Sequence, residues 1–254
     1  MNAPWFHLDP LPGPGEVASL DEDEARHAGG ARRLHEGDPV VVFDGAGGYA
    51  DATLRSISRR AISLKVGVPR RQPRPTPDIH LACAPPKGDR SAILLGMATQ
   101  LGMRSFTPLR CEHSVVASSA ARRGRWSRIL REACKQSRRA YIPELREPMA
   151  PLAAIDGAAA DARHLLLDPD GVPAAHWLAA QRRGDPAPIQ LLVGPEGGFS
   201  SEERAELIAR GATPMRTADA VLRIETAALA GLTTAGLLRD ETMRAGPPPG
   251  DAER

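Results

Sequence analysis

Four prolines within nine residues, from Pro69 to Pro77, divide this chain of 254 residues into two segments of different character. Each proline lacks a backbone N–H and has a fixed φ, so this stretch can form neither a continuous helix nor a fully paired strand. We therefore expect an extended connector there. A domain boundary in this connector predicts a first domain at residues 1–72 and a second at residues 73–243. The last residues, 244–254, are predicted to be a disordered tail.

The segment before the connector has the pattern of a small β-structure. Val40–Phe43 is a short apolar run that ends in the turn signal Asp44-Gly45, and a second run extends from Tyr49 to Ile57. Apolar residues then alternate with other residues over positions 62–68, as in a strand with one buried face. We expect these strands to close into a small barrel.

After the connector, strand patterns alternate with helix patterns, which indicates an α/β fold with a mostly parallel sheet. The predicted strands are Ile79–Ala84, Ser105–Pro108, Leu165–Leu167, Ile189–Val193 and Val221–Ile224. The predicted helices are Ser91–Leu101 and Trp126–Arg139, and a further helix opens at Ser200.

Composition excludes several classes of protein. No stretch approaches the roughly 20 apolar residues of a membrane span, so we expect a cytoplasmic protein with no membrane partner. The three cysteines, Cys83, Cys111 and Cys134, are widely spaced and form no CxxC motif, which favours reduced, packed thiols. The histidines show no ligand spacing, so no metal is expected.

The charges are balanced overall but unevenly placed. The formal net charge is only +2, far from the basic excess of a protein that coats nucleic acid. Between positions 122 and 139, however, eight residues are basic and Glu132 is the one acid. On the predicted helix these cations lie mostly opposite an apolar stripe. This arrangement is typical of a binding face and equally of a solvated helix face.

A glycine-rich turn joins the strand Ile189–Val193 to the next helix. Gly194-Pro195-Glu196-Gly197-Gly198 follows the strand, and Ser200 with Glu203 has the pattern of a capping box. In an open α/β sheet such a turn lies at the carboxyl end of the strand, where ligands bind. It lacks the sequence of a phosphate loop, and Glu196 suits a ligand with hydroxyls or positive charge. The alternative is a tight turn that needs glycine backbone angles.

A second unusual segment is Val221-Leu-Arg-Ile-Glu-Thr-Ala227. It places Arg223 and Glu225 where a short apolar run gives way to a helix rich in alanine and glycine. A strand-end salt bridge would explain the charged pair, and alanine helix propensity would explain the helix.

Together these segments resemble a known family. LLVGPEGGFSSEE and VLRIETAALAGL, about thirty residues apart, are similar to the ribosomal RNA small subunit methyltransferase E family of the SPOUT superfamily. PPKGDRSAILLGMATQLGM, RWSRILREACKQSRRAYIPEL and the stretch from His27 to Asp38 resemble further blocks of that family. The resemblance implies a PUA-like barrel, a trefoil-knotted methyltransferase domain, a homodimer and S-adenosylmethionine as donor. It also implies that the acceptor is N3 of one uracil in 16S rRNA of the small ribosomal subunit.

The resemblance also implies roles for individual residues. Arg223 and Glu225 correspond to the pair at the methyl-transfer site. The implied cofactor-binding residues are Leu167, Leu192, Val193, Gly194, Pro195, Glu196, Gly197, Gly198, Thr217, Ala218, Val221, Leu222 and Ala227. The implied RNA-binding residues are Arg90, Arg122, Arg123, Arg125, Arg128, Arg131, Lys135, Arg138 and Arg139. The chain departs from the family pattern at Gln100, His113, Ala220 and the pair Thr217-Ala218.

Two other functions fit the same residues: a methyltransferase for another RNA position, such as a ribose hydroxyl, and a non-catalytic RNA-binding assembly factor. All of these hypotheses share one geometric expectation. The loops after Val193 and before Leu222 should form a single pocket.

Overall fold

The computed structural model of the chain describes residues 3–20, 24, 34–58, 61–114 and 120–239. These residues form two compact units. One unit consists of the described residues up to Arg74 together with Cys134–Ile142, and the other consists of Pro75–Ala133 and the residues from Pro143 onward. The predicted tail, and His27 to Arg33 of the PUA-like stretch, lie outside the described residues.

The first unit is a β-sheet of six strands. Its strands are β1 (Trp5–His7), β2 (Val17–Leu20), β3 (Pro39–Phe43), β4 (Gly48–Ile57), β5 (Ile62–Val66) and β6 (Arg70–Arg71). They are arranged β1-β3-β4-β5-β2, and β6 pairs with β4. The β1–β3 pair is parallel, and the other pairs are antiparallel.

Alternate residues of five of these strands meet in one core. Leu54 of β4, Leu64 of β5 and Val42 of β3 are almost completely buried there, with Phe6 of β1 and Leu20 of β2. Because all five strands contribute the same face to one cluster, the sheet curls around that cluster, as predicted from the period-2 pattern. A satellite cluster joins Phe43 to Cys134 and Ala140, which the sequence did not associate with the barrel.

The second unit is an α/β fold built on a parallel sheet, which confirms the predicted fold class. Its strands are β7 (Ile79–Cys83), β8 (Ser105–Pro108), β9 (Glu144–Leu145), β10 (Arg163–Pro173), β11 (Ile189–Val193) and β12 (Thr213–Arg216). Its helices are α1 (Arg90–Gln100), α2 (Ala120–Ser137, which extends into the first unit's Cys134–Ile142), α3 (Pro151–Asp156), α4 (Ala174–Ala179), α5 (Ser201–Ala209) and α6 (Ile224–Gly236).

The strand order places a switch point next to the glycine-rich turn. The order is β12-β10-β11-β7-β8-β9. Strands β8 and β9 lie on one side of β7, and the later strands β10, β11 and β12 lie on its other side, where β11 pairs with β7. At such a reversal the connections leave the carboxyl ends of the strands in opposite directions and open a crevice, which is where ligands bind in α/β sheets.

Most predicted elements of this unit are present, and one is wrong. The strands Ser105–Pro108 and Ile189–Val193 have the predicted bounds. The predicted strand Val221–Ile224 is irregular chain, and α6 begins at Ile224. Val221 is 83% exposed, so its apolar character does not reflect burial in a sheet. The outer strand is instead β12, whose less apolar sequence TPMR gave no strand signal.

Helix α1 has two apolar faces. Leu94, Leu95 and Ala98 are buried beneath it, whereas Ile93 and Met97 are 54% and 46% exposed on the outside. The helical spacing of Ile93, Leu94, Met97 and Leu101 predicts one apolar stripe, and these residues belong to both faces. None of the helices in the described ranges is long and apolar enough to cross a membrane.

Candidate functional site

The glycine-rich turn has a backbone shape that other residues would not adopt easily. It leaves the fully buried strand β11 at Val193, and Gly198 has a φ of +73°. A Cβ atom on Gly194 would lie 3.1 Å from the backbone nitrogen of Phe199, because the chain folds back tightly on itself there. The turn therefore needs glycine for its geometry, and that geometry also exposes the backbone to a ligand.

The start of α5 holds the far end of the turn. The Ser200 Oγ accepts a hydrogen bond from the Glu203 N–H at 3.2 Å, and Glu203 Oε2 accepts one from the Ser200 N–H at 3.0 Å. This confirms the predicted capping box. The other Glu203 oxygen, Oε1, accepts the Glu112 N–H at 2.9 Å, and His113 Nδ1 lies 3.2 Å from the Gly198 carbonyl oxygen. The segment at residues 112–113 thus braces the turn.

A second loop, residues 217–223, connects β12 to α6. Arg223 is the N-cap residue of α6 and has an extended backbone with ψ of 156°. Its side chain is exposed, and it has no ion pair or side-chain hydrogen bond with any residue in the described part of the chain. A free guanidinium at the end of this loop is available to a ligand.

Both loops line one cavity of about 550 Å³, which lies at the carboxyl ends of β11 and β12 and beside residues 166–170 of β10. The structure thus has the single pocket between these two loops that the sequence predicts. Its walls include apolar side chains from all three strands: Leu167, Val193 and Met215. Backbone of the glycine-rich turn forms another wall.

Nearly all the residues that bind the cofactor according to the family resemblance line this cavity. Leu167, Val193, Thr217, Ala218, Val221, Leu222 and Ala227 line it, as do all five residues from Gly194 to Gly198. Leu192 does not, because it is fully buried in the core beneath the sheet. Arg223 lines the cavity, whereas Glu225 does not.

Some lining residues carry charge that the sequence reasoning did not assign to a pocket. Arg204 of α5 donates a hydrogen bond from Nε to Asp168 Oδ2 at 2.5 Å, and the other Asp168 oxygen accepts the Asp170 N–H at 2.8 Å. Arg204 is four residues after Ser200, so it shares a helix face with the capping serine. That spacing is a signal that could have placed it beside the turn.

Glu225 is paired with Arg90 of α1 and not with its neighbour Arg223. The Arg90 Nη1 lies 3.8 Å from Glu225 Oε2, and the Arg90 Nη2 donates to Glu196 Oε1 at 3.1 Å. Glu225 Oε2 is buried and has no hydrogen-bond partner among the described residues. Its negative charge in the first turn of α6 is also favoured by the helix dipole.

The buried cysteines offer no nucleophile near the cavity. Burial raises the pKa of the Cys83 thiol well above its ordinary value, and nearby Cys111, Glu225 and Glu196 raise it further. Burial also raises the pKa values of Cys111 and Cys134 to about 12. All three thiols are therefore protonated at neutral pH, which confirms the expectation of free, packed cysteines.

The basic residues of α2 have different environments. Arg128 is exposed, and neither it nor Arg131 has an ion pair within the described ranges. Arg125 pairs with Asp89 at 2.8 Å, but both side chains are exposed. Arg123 pairs with Glu147 at 2.7 Å and donates to the carbonyl oxygen of Arg146.

Lys135 differs from the rest of this set. Its Nζ lies 3.0 Å from Glu24 Oε2, and the two side chains are only 7% and 3% exposed. We therefore leave Lys135 out of the RNA-binding surface considered below. Arg122 is half-buried, and Arg138 and Arg139 follow the end of α2.

Comparison with known proteins defines the class of this site. The family model described as an RNA methyltransferase domain matches residues 72–236, and the one described as an RNA methyltransferase PUA domain matches residues 20–67. The parallel sheet with its cavity is therefore an RNA methyltransferase domain, and the curled sheet is its PUA domain.

Similar whole chains narrow the class to a family. The ribosomal RNA small subunit methyltransferase E of Mycobacterium bovis is 34% identical over 94% of this chain and 93% of its own length. The Bacillus subtilis protein of that name is 25% identical over 85% of this chain and 88% of its own. The chain belongs to the ribosomal RNA small subunit methyltransferase E family.

Solved structures share the fold. A protein from Legionella pneumophila, in complex with bound S-adenosylmethionine, has a TM-score of 0.86 and 26% identity over 94% of this chain and all of its own. The Neisseria gonorrhoeae ribosomal RNA small subunit methyltransferase E has a TM-score of 0.82 and 24% identity, covering 93% of this chain and 98% of its own.

Proposed function

We propose that this protein transfers a methyl group from S-adenosylmethionine to N3 of a uracil in 16S rRNA. Membership of the ribosomal RNA small subunit methyltransferase E family supports the reaction class and the rRNA substrate. The bound S-adenosylmethionine in the Legionella pneumophila relative supports the donor. The observation in this chain that carries the proposal is Arg223, a cation on the wall of the cavity that has no ion pair with any other described residue.

The cavity fits the proposed donor in both shape and charge. Leu167 and Met215 offer apolar surface for an adenine ring, and the glycine-rich turn offers backbone groups for hydrogen bonds. Glu196 lines the cavity with a carboxylate that is 43% exposed and pairs with Arg90. When bound there, S-adenosylmethionine would supply a methyl group on a positively charged sulfur, which a nearby carboxylate attracts.

The acceptor chemistry explains why a free arginine is needed. Transfer from a sulfonium is an in-line displacement, so holding the two reactants in line supplies much of the acceleration. Uracil N3 carries a proton at neutral pH. That proton would pass to solvent as the N3–methyl bond forms and the sulfur–methyl bond breaks to leave a neutral thioether, and its loss spreads negative charge onto O2 and O4. The Arg223 guanidinium would stabilise that charge as it develops, because no carboxylate of the described ranges neutralises it.

Glu225 would assist without touching the uracil. Its carboxylate does not line the cavity, and its Oε2 atom is buried. It lies in the first turn of α6, two residues after Arg223, and pairs with Arg90. We therefore assign Glu225 a positioning role at the Arg223 end of the helix.

The RNA itself would be held by basic residues of α2, of which Arg125 and Arg128 are exposed and Arg131 is half-buried. Arg125, Arg128 and Arg131 would contact phosphates, which supplies affinity with little choice of sequence. Because N3 lies on the base-pairing edge, the target uracil has to be unpaired or extruded when it reacts. The PUA domain would help to select that site.

A homodimer would cover the outer apolar face of α1. Ile93 and Met97 are four residues apart and therefore lie on one side of this helix. Leu237, at the end of α6, is also more than half exposed. Apolar side chains that project together into water favour a second copy of the chain as their partner.

Mapping the modified nucleotide tests the proposal. Purified small subunits that lack the modification are incubated with the protein and labelled S-adenosylmethionine, and the rRNA nucleosides are identified by mass spectrometry. We expect the label on N3 of one uracil. Label on a ribose hydroxyl would indicate a methyltransferase for another position, and absence of donor binding in calorimetry would indicate a non-catalytic RNA-binding factor.

A further inference from the structure

Arg90 joins the two loops that form the cavity. It is the first residue of α1, in the connection that leaves the carboxyl end of β7. One nitrogen of its guanidinium hydrogen-bonds Glu196 on the glycine-rich turn, and another faces Glu225 at the start of α6. Arg90 itself does not line the cavity. Any effect that it has on a ligand inside the cavity is therefore indirect, and these two carboxylates are its ion-pair partners among the described residues.

The charges around Arg90 explain why its position matters. One guanidinium faces two carboxylates, so this cluster carries more negative than positive charge. Glu225 Oε2 is buried and has no hydrogen bond within the described part of the chain, so the attraction to Arg90 is what orients it. Without Arg90 the two carboxylates would repel each other and the loops would lose a shared anchor.

We propose that Arg90 is a positioning residue for methyl transfer, and that it sets the distance between the glycine-rich turn and the Arg223 end of α6. This inference rests on the proposed function, because it assigns the turn to the donor and Arg223 to the acceptor. It also changes the role implied by the resemblance, which placed Arg90 among the residues that bind RNA. The guanidinium is suited to the task because it presents several donors in a fixed plane.

A double-mutant cycle tests the inference. Arg90→Gln, Glu225→Gln and the double variant are compared with the unmodified protein in single-turnover methylation at saturating donor and RNA. We expect Arg90→Gln to lower the rate by about 100-fold, since a misplacement of about 1 Å can cost that much. Because both residues act through one pair, the double variant should be little slower than the slower single variant.

A matched control separates positioning from general loss of an arginine. Arg104 is as exposed as Arg90, at 32%, and its Nε also lies 3.8 Å from a carboxylate, that of Asp78. It precedes β8, at the opposite end of the sheet from the cavity. Arg104→Gln should methylate at the rate of the unmodified protein.

The remaining outcomes decide the inference. An unchanged rate in Arg90→Gln, rate losses that multiply in the double variant, or an effect confined to RNA affinity would each overturn it. If Arg90→Gln does not fold, Arg90→Lys replaces it in the cycle, because lysine keeps the charge but lacks the planar set of donors that faces both carboxylates. If the unmodified protein methylates no uracil N3, the proposed function fails, whereas an active protein with an unimpaired Arg90→Gln variant fails only this inference.

Discussion

Arg223 and Glu225 are two residues apart in the sequence, but they occupy different environments. Arg223 precedes α6 and extends toward the cavity, while Glu225 is in the first helical turn and faces Arg90. The sequence suggested a salt bridge between them as one alternative. The structure instead leaves Arg223 without a carboxylate partner among the described residues, so its charge is available for a substrate.

Arg223→Ala should slow methyl transfer and spare donor binding. Removing one group that stabilises developing negative charge typically costs about 100-fold to 1,000-fold in rate. The rate is measured in a single turnover with labelled donor, and donor affinity by calorimetry. Arg210→Ala is the control, because Arg210 follows α5 and pairs with Asp156 away from the cavity. A normal rate in Arg223→Ala would remove Arg223 from the mechanism.

At the scale of elements, α6 packs against the sheet through small residues. A Cβ atom on Gly231 would lie 2.7 Å from Leu167 Cδ1 and 3.3 Å from Leu191 Cδ1. The sequence indicated a helix rich in alanine and glycine here, but not which strand it contacts. Since Leu167 also lines the cavity, the packing of α6 determines the shape of the pocket wall.

Gly231→Ala should therefore weaken donor binding more than it changes stability. The added methyl group gains helix propensity of about 1 kcal/mol, which offsets part of the cost of overpacking. Leu167 has to shift toward the cavity to make room. We expect a several-fold loss of donor affinity by calorimetry, with a small change in the midpoint of urea unfolding. Gly236→Ala is the control, since a Cβ there meets no atom within 4 Å. Equal donor affinities for the two variants would contradict this account.

At the scale of the whole molecule, RNA affinity should depend on the basic face of α2. The net charge of +2 provides little general attraction, so local cations have to supply it. Each lost phosphate contact reduces the slope of log affinity against log salt by about 0.7 to 0.9. Arg128→Glu with Arg131→Glu should therefore lower the slope by nearly two. Arg182→Glu, an exposed arginine before β11, serves as the control, and an unaltered slope in the double variant would count against this surface.

The proposed homodimer makes a prediction at the same scale. Sedimentation should give a species of twice the chain mass of 27.1 kDa. Ile93→Glu places a charge on the outer face of α1 and should shift the protein to monomers. Ile208→Glu is the control, because Ile208 is also an exposed isoleucine on a helix but lies on α5. A monomeric unmodified protein, or a dimer that survives Ile93→Glu, would argue against this interface.

Local sequence patterns were sufficient to predict much of this protein's secondary structure. The period-2 alternation in β5, the apolar run of β11 and the capping box at Ser200 involve contacts between near neighbours, so the sequence alone indicated them. The order of strand, glycine-rich turn and helix likewise placed one wall of the cavity. The reaction class was indicated by the similarity of several sequence blocks to one family.

Contacts between distant residues were decided only by the tertiary structure. Arg90 and Glu196 are 106 positions apart, and no local pattern predicts that their side chains meet. The same holds for Cys134–Ile142, which groups with the barrel unit although it begins within α2, most of which belongs to the other unit. Val221–Ile224 reads as a strand because three of its four residues are apolar, yet the segment lines a cavity. Whether an apolar residue pairs in a sheet, packs in a core or faces a ligand depends on what the fold brings beside it.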